Sequence, residues 1–189
     1  MDDVIKADLY RHDGQSGLGG LVKALFNPGF RYTYLLRKAG ASARWSLHGL
    51  VYRALRRRYS FKYGYQINPQ ARIGEGFFLS GHRGSVVIGP VTIGKNCNVN
   101  HGVTIGTSVK DGVEGLPTFG DFVWIGTGAV VVGPITIGSN VLIAPNAFVS
   151  SDVPDNCLVV GNPGRILKND NPTRDRINHV ITDTRGTSP

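Results

Sequence analysis

The sequence predicts a mainly β protein: a parallel β-helix preceded by an α-helical N-terminal segment. Three observations carry this. Aliphatic residues followed by Gly or another small or polar residue recur every six positions from Ile67 to Val149. Gly supplies 26 of the 189 residues, about twice the usual share of roughly 7%, as a chain that turns often requires. Residues 1–63 instead carry Leu, Ala, Tyr and Arg at helical spacing.

In that first segment, Leu18 to Phe26 reads as one helix, ended by Asn27-Pro28-Gly29. Phe30 to Lys38 reads as a second, ended near Gly40. Ser42 to Tyr59 reads as a third, with Trp45, Leu47, Leu50, Val51, Ala54 and Leu55 as its apolar face. Its end carries Arg53, Arg56, Arg57, Arg58 and Lys62.

Residues 64–168 form the repeat unit. Ile67, Ile73 and Leu79 share one phase, and Val87, Ile93, Val99 and Ile105 a second. Phe119, Ile125, Val131, Ile137, Ile143 and Val149 share a third. Each six-residue unit is one short strand plus a corner, and three units close a triangular coil of about 18 residues. The aliphatic residue points inward, and Gly tolerates the bend that follows it. Helical stripes recur at three and four, so period six excludes them. A sandwich needs hairpin signals of the Asn-Gly type between strands, and none is read here. The eight residues from Leu79 to Val87 indicate two extra residues on that side. The fourteen from Ile105 to Phe119 indicate an extruded loop over 107–118, placed to wall a binding site. Residues 169–189 form a polar, Pro-broken tail expected to be loosely attached.

Hydrophobic residues at 41% and charged residues at 18% describe a folded chain. The net charge of +8 favours an anionic partner. Cys97 and Cys157 lack CxxC spacing, so they form neither a disulfide framework nor a zinc site. The N-terminus has no secretory apolar run and no stretch reaches 18 apolar residues, making the cytoplasm the expected location. The basic stretch from Arg53 to Lys62 reads as a solvated helix end or as a contact for anionic lipid at the inner membrane face. It holds no nucleic-acid-binding motif, so nucleic acid is not an expected partner.

Histidine is the natural general base near neutral pH. Of His12, His48, His82, His101 and His179, only His82 and His101 fall inside the repeat. Leu79 and Val99 occupy equivalent positions, so His101 sits over Gly81 and beside His82 on one wall. The two imidazoles are then about one coil apart, roughly 4.8 Å. Two histidines do not make the three-ligand zinc site of a hydratase, and no metal is expected.

Four motifs carry a family resemblance: Ile73-Gly74-Glu75-Gly76, Gly81-His82-Arg83-Gly84-Ser85-Val86-Val87-Ile88, Asn100-His101-Gly102-Val103-Thr104-Ile105-Gly106, and Val160-Gly161-Asn162-Pro163-Gly164-Arg165-Ile166. Residues 60–168 resemble the hexapeptide-repeat acyltransferases, within them the serine acetyltransferases and the O-acetyltransferases of bacterial polysaccharide synthesis. The resemblance implies a left-handed parallel β-helix, acetyl-CoA as donor and a homotrimer with the donor's pantetheine arm between neighbouring prisms. Matched without gaps, the catalytic His of the serine acetyltransferases falls on Gly81, one place from His82; the Gly-His-x-Gly likeness to the polysaccharide enzymes implies His82 as base, with His101 assisting or substituting. The resemblance places the donor along Gly106, Thr107, Thr127 and Pro145, with Arg165 and Lys168 near its phosphates. It places the acceptor near Ser80, Arg83, Asn100 and Leu116. Three positions depart from the serine-specific pattern. Ser80 stands for an Asp beside the catalytic His, Gln66 for a second Asp, and Leu116 for a substrate-binding His. The implied acceptor is therefore a sugar hydroxyl, small or lipid-linked, in surface polysaccharide assembly. Serine O-acetylation, nucleotide-sugar N-acetylation and a scaffold without activity stay open.

Overall fold

The computed structural model describes residues 1–82 and 84–180. Four helices lead: α1 (Asp3–Tyr10), α2 (Gly17–Ala24), α3 (Pro28–Ala41) and α4 (Leu47–Tyr63). The sequence reading missed α1, whose acidic, polar start hid a buried side of Ile5, Asp8 and Leu9. Asn27-Pro28-Gly29, expected to end a helix, begins α3. The Asn27 carboxamide accepts from the Gly29 and Phe30 N–H groups at 2.9 and 3.3 Å, and Pro at the first helical position loses no bond. Ser46 caps α4 in the same way, accepting from Gly49 N–H at 3.1 Å. Gly64, at φ 81°, ends it in the left-handed region. The expected apolar face of this third helix is a correction: Trp45, Leu47, Leu50, Val51 and Leu55 face solvent.

The strands stack as three parallel faces. The first runs β1 (Tyr65–Ile67), β4 (Val86–Ile88), β7 (Thr104–Gly106), β12 (Val130–Val132) and β15 (Phe148–Val149). The second runs β2 (Arg72–Ile73), β5 (Thr92–Ile93), β10 (Thr118–Phe119) and β13 (Thr136–Ile137). The third runs β3 (Phe78–Leu79), β6 (Asn98–Val99), β11 (Trp124–Ile125), β14 (Val141–Ile143) and β16 (Cys157–Val160), and β17 (Arg165–Lys168) closes it antiparallel.

Register turns the repeat into a core. Leu79, Val99, Ile125, Ile143 and Val159 stack in one column, all buried. Ile73, Ile93, Phe119, Ile137 and Val153 form a second. Ile67, Ile88, Ile105, Val131 and Val149 form the third. One register differs from the sequence reading. Ile88, not Val87, fills the rung, and Val87 points outward. The corner after Leu79 therefore holds three extra residues, and one is recovered before Ile93.

The extruded segment also differs from a plain loop. Ser108–Lys110 (β8) pairs antiparallel with Val113–Gly115 (β9). Asp111 and Gly112 turn between them at φ 52° and 79°, the dihedrals a two-residue hairpin demands. Asp111-Gly112 is the sequence signal for this hairpin.

The tail is not loose over its described part. From the last coil it runs back across the third face. Asn169 N–H bonds the Asn156 carbonyl at 2.9 Å, and buried Thr173 donates to Asn140 Oδ1 at 2.5 Å. Asn98 Nδ2 donates to the Arg176 carbonyl at 3.2 Å. Arg11, at the end of α1, donates to the Asn178 carbonyl, to Asn98 Oδ1 and to the Gly76 carbonyl. Side-chain amides on successive rungs give the segment a ladder of partners that composition does not reveal.

The helices clamp the first coil. Arg37 donates to both Asp8 carboxylate oxygens, at 2.9 and 3.3 Å, and to the Ile73 and Gly74 carbonyls at 2.5 and 2.6 Å. Burial lifts the Asp8 carboxyl above its ordinary range, with Arg37 opposing the shift. His12 lies between Phe78, stacked at 4.6 Å, and Phe30, edge-on at 5.1 Å. Burial brings its pKa down to about 4.

Candidate functional site

The site is built at the corner following the third face. Its rungs are connected by backbone bonds: Gly102 N–H to Ser85 O at 2.7 Å, Gly128 N–H to His101 O at 3.1 Å, and Asn146 N–H to Thr127 O at 2.9 Å. These bonds put His101, Thr127 and Pro145 at equivalent places on successive coils. Gly102 and Gly128, at φ 76° and 72°, make the bend there without strain. The three extra residues of the first coil fall at this same corner and carry His82 out beside His101. The ring centroids are 5.5 Å apart, inclined at 47°. Gly84, rather than Gly81, stands against the His101 Cβ, and a Cβ added there would come within 3.1 Å of it.

The two imidazoles have different surroundings. His82 is exposed, and its Nδ1 lies 2.9 Å from the Ser80 hydroxyl. Ser80 itself is buried. Beneath them the buried Tyr65 hydroxyl bonds the Ser80 and His82 carbonyls at 2.9 and 3.2 Å. Burial pushes the Tyr65 phenol up to about 12, so it keeps its proton and stays a donor. Sequence reasoning missed Tyr65 because it reads as a core aromatic, and its polar tip matters only once the corner has folded over it. His101 is half-buried, and its Nδ1 has no hydrogen-bond partner among the described residues. Buried ring nitrogens are normally paired; this one lies covered beside the His82 ring without a partner.

The remaining expected positions divide. Arg165 opens β17 opposite Val160, at the top of the histidine corner. Lys168 pairs with Cys157 at the other end of that hairpin. Gly106 and Thr107 lie at the next corner, across β7, in a groove of about 410 Å3 that Leu116 and Gln66 also line. Asn100 is turned into the coil, its amide donating to the Ile125 carbonyl at 2.8 Å. Arg83 lies outside the described residues. Glu75 pairs with Lys95 at 2.9 Å, away from the histidines on the opposite corner.

An imidazole with one nitrogen held by a hydroxyl, beside a second imidazole with an unpaired nitrogen, can accept and pass a proton at an open wall. Residues 117–151 match the family described as bacterial transferase hexapeptide (six repeats). A serine acetyltransferase of Helicobacter pylori is 37% identical over 121 residues, covering 64% of this chain and 70% of that protein. Serine acetyltransferase 2 of Arabidopsis thaliana is 34% identical over 115 residues, and the match spans 36% of its length. This chain thus corresponds to only part of the longer relatives. The crystal structure of Neisseria gonorrhoeae serine acetyltransferase superposes with a TM-score of 0.71 at 33% identity, over 91% of this chain and 68% of that one. The soybean apoenzyme gives 0.72 at 33% identity, over 87% and 67%. The fold is the left-handed parallel β-helix of these enzymes with four helices ahead of it. These relatives lend nothing to the polysaccharide branch of the resemblance. By the extent and identity of these matches, the chain belongs to the serine acetyltransferase family of hexapeptide-repeat transferases.

Proposed function

We propose that this chain is an acetyl-CoA-dependent O-acetyltransferase whose acceptor is the hydroxyl of serine. The observation that carries the reading is the His82–His101 pair on the corner wall of this family's β-helix. In the tautomer whose Nδ1–H donates to Ser80 Oγ, at 2.9 Å, Nε2 is the basic nitrogen. It takes the hydroxyl proton as the acceptor oxygen attacks the thioester carbonyl carbon. The C–S bond then breaks, and the same imidazole returns the proton to the leaving thiolate. His101, its ring centroid 5.5 Å from that of His82 on the same wall, assists at the acceptor or the developing oxyanion. Arg165 at the top of the corner offers a cation to the donor's phosphates. The assembly we infer is a trimer. Val87, Val130, Val132 and Phe148 line the outward side of the first face, half-exposed, and a neighbouring prism would cover them. Sedimentation of an active monomer would contradict it.

A second reading, acetylation of a sugar hydroxyl, is favoured by one observation. The group bonded to the His82 ring is a hydroxyl, with no carboxylate bonded to it among the described residues. A hydroxyl orients the ring without adding the charge that stabilises an imidazolium.

Mass spectrometry of products from acetyl-CoA with a panel of serine and sugars tests both. O-acetylserine as the main product supports the first reading; an acetylated sugar with serine untouched overturns it for the second. His82→Ala is expected to lower kcat by about 10²- to 10⁴-fold. Ser80→Ala should cost about tenfold, the worth of one orienting hydrogen bond. Full turnover in both His82→Ala and His101→Ala removes the base assignment.

A further inference from the structure

We propose that the outer surface of α2 and α4 is a docking face for an anionic phospholipid bilayer. It does not depend on which acceptor the site takes.

The first observation is apolar exposure in a pattern. Leu18, Val22 and Phe26 recur every four residues along α2 and the turn after it, exposed by 79%, 59% and 77%. On α4 the exposed residues Leu47, Leu50, Val51, Leu55 and Phe61 follow the i, i+3, i+4 spacing of one helix face, with Leu47 and Phe61 at 74% and 79%. A surface helix of a closed protein turns such a stripe inward; here it faces out. The two stripes meet. Val22 and Phe26 from the α2 side and Tyr52 and Leu55 from α4 line one apolar groove of about 420 Å3. Contiguous patches of this kind mark interaction sites.

The second observation is charge. From Gly14 to Gly74 the chain has eleven Lys and Arg and no Asp or Glu. Arg37 and Lys38 are paired with Asp8 and Asp2 from α1. Among the described residues no carboxylate pairs with Arg53, Arg56, Arg57, Arg58 or Lys62 of α4. Arg57 lies over the Phe61 ring at 5.9 Å and Arg44 over the Trp45 ring at 5.6 Å, so cations and aromatic faces are presented together.

Charge decides between occupants. A second copy seated symmetrically on this face would bring the same cations against themselves, and among the described residues those of α4 have no carboxylate paired with them. A bilayer of anionic lipid supplies both halves of the match. Its headgroups take the cations, and its acyl boundary takes Leu47, Leu50 and Phe61. No helix of the described residues is long and apolar enough to cross a membrane, so contact is made from the surface.

The test is flotation of the full chain with vesicles. Binding is expected to phosphatidylglycerol mixed with phosphatidylcholine, weakening as salt rises, and to be much lower on phosphatidylcholine alone. Arg57→Glu with Arg58→Glu should reduce binding to the anionic vesicles by at least about tenfold. Leu50→Ser with Phe61→Ser should do the same, with the thermal melt of each variant confirming that it folds. No flotation of the wild type on anionic vesicles overturns the proposal. So does equal flotation on neutral vesicles, or binding untouched by both variant pairs. Light scattering showing copies that associate through this face, in a manner abolished by Leu50→Ser with Phe61→Ser and without flotation, assigns the face to a second copy instead.

Discussion

His12 shows what a buried titratable side chain does to this chain's response to acid. Its ring is sandwiched by Phe30 and Phe78, and its Nε2 is buried without a partner among the described residues. The folded state holds it neutral until pH falls to about 4, whereas an unfolded His takes its proton near 6.5. Above about pH 6.5 both states carry neutral imidazole and nothing is lost. Between about 6.5 and 4 the unfolded state binds the extra proton, so stability falls as pH falls, by up to about 3 kcal/mol. His12→Phe should keep the aromatic packing and flatten that slope. Urea unfolding of both proteins across this range checks it, because Asp8 and the other carboxylates contribute equally and cancel in the difference. At this scale the sequence was partly legible. His82 and His101 could be paired by counting because a period of six fixes which residues share a corner. Ser80 at the His82 ring and Tyr65 beneath it could not, since their polar contacts depend on how three extra residues fold over the corner.

Between elements, α3 sits tight against the first coil at Gly29. A Cβ added at Gly29 would lie 2.0 Å from the Leu79 carbonyl oxygen and 2.9 Å from that of Ser80. Both contacts are with backbone, so the helix would have to lift. Gly29→Ala is expected to destabilise the fold by about 1–3 kcal/mol. It should also lower turnover, because the displaced segment leads into Ser80 and His82. Chemical denaturation with a parallel rate measurement checks both. The solenoid itself was the most legible part, since each rung repeats one instruction: aliphatic in, small residue at the bend. Legibility fell where a rung was irregular. Ile88 replaces Val87 in the column because the corner before it is longer than a count of six allows. α4 misled for a different reason: its apolar stripe looks like a core face and yet points to solvent.

For the molecule as a whole, the segment after β17 contributes most that was unexpected. Solenoids hold together through neighbouring rungs, so each end is free to open alone. Deleting residues 169–189 removes partners of Asn98, Asn140 and Arg11 together. A lower Tm and a broader, less cooperative thermal transition are the expected outcome, measured by circular dichroism and calorimetry. Composition suggested the reverse, because polar and Pro-broken stretches usually lack partners. The partners here are amide side chains already fixed on the rungs, and only the assembled coil shows them in line.

The bond from Arg11 to the Asn178 carbonyl joins positions 167 apart in sequence. It converts an open stack into a closed circuit, as a clasp does for a spring. Releasing the described tail therefore strips Arg11 of a partner as well, so residues 169–180 and the end of α1 loosen together rather than each alone.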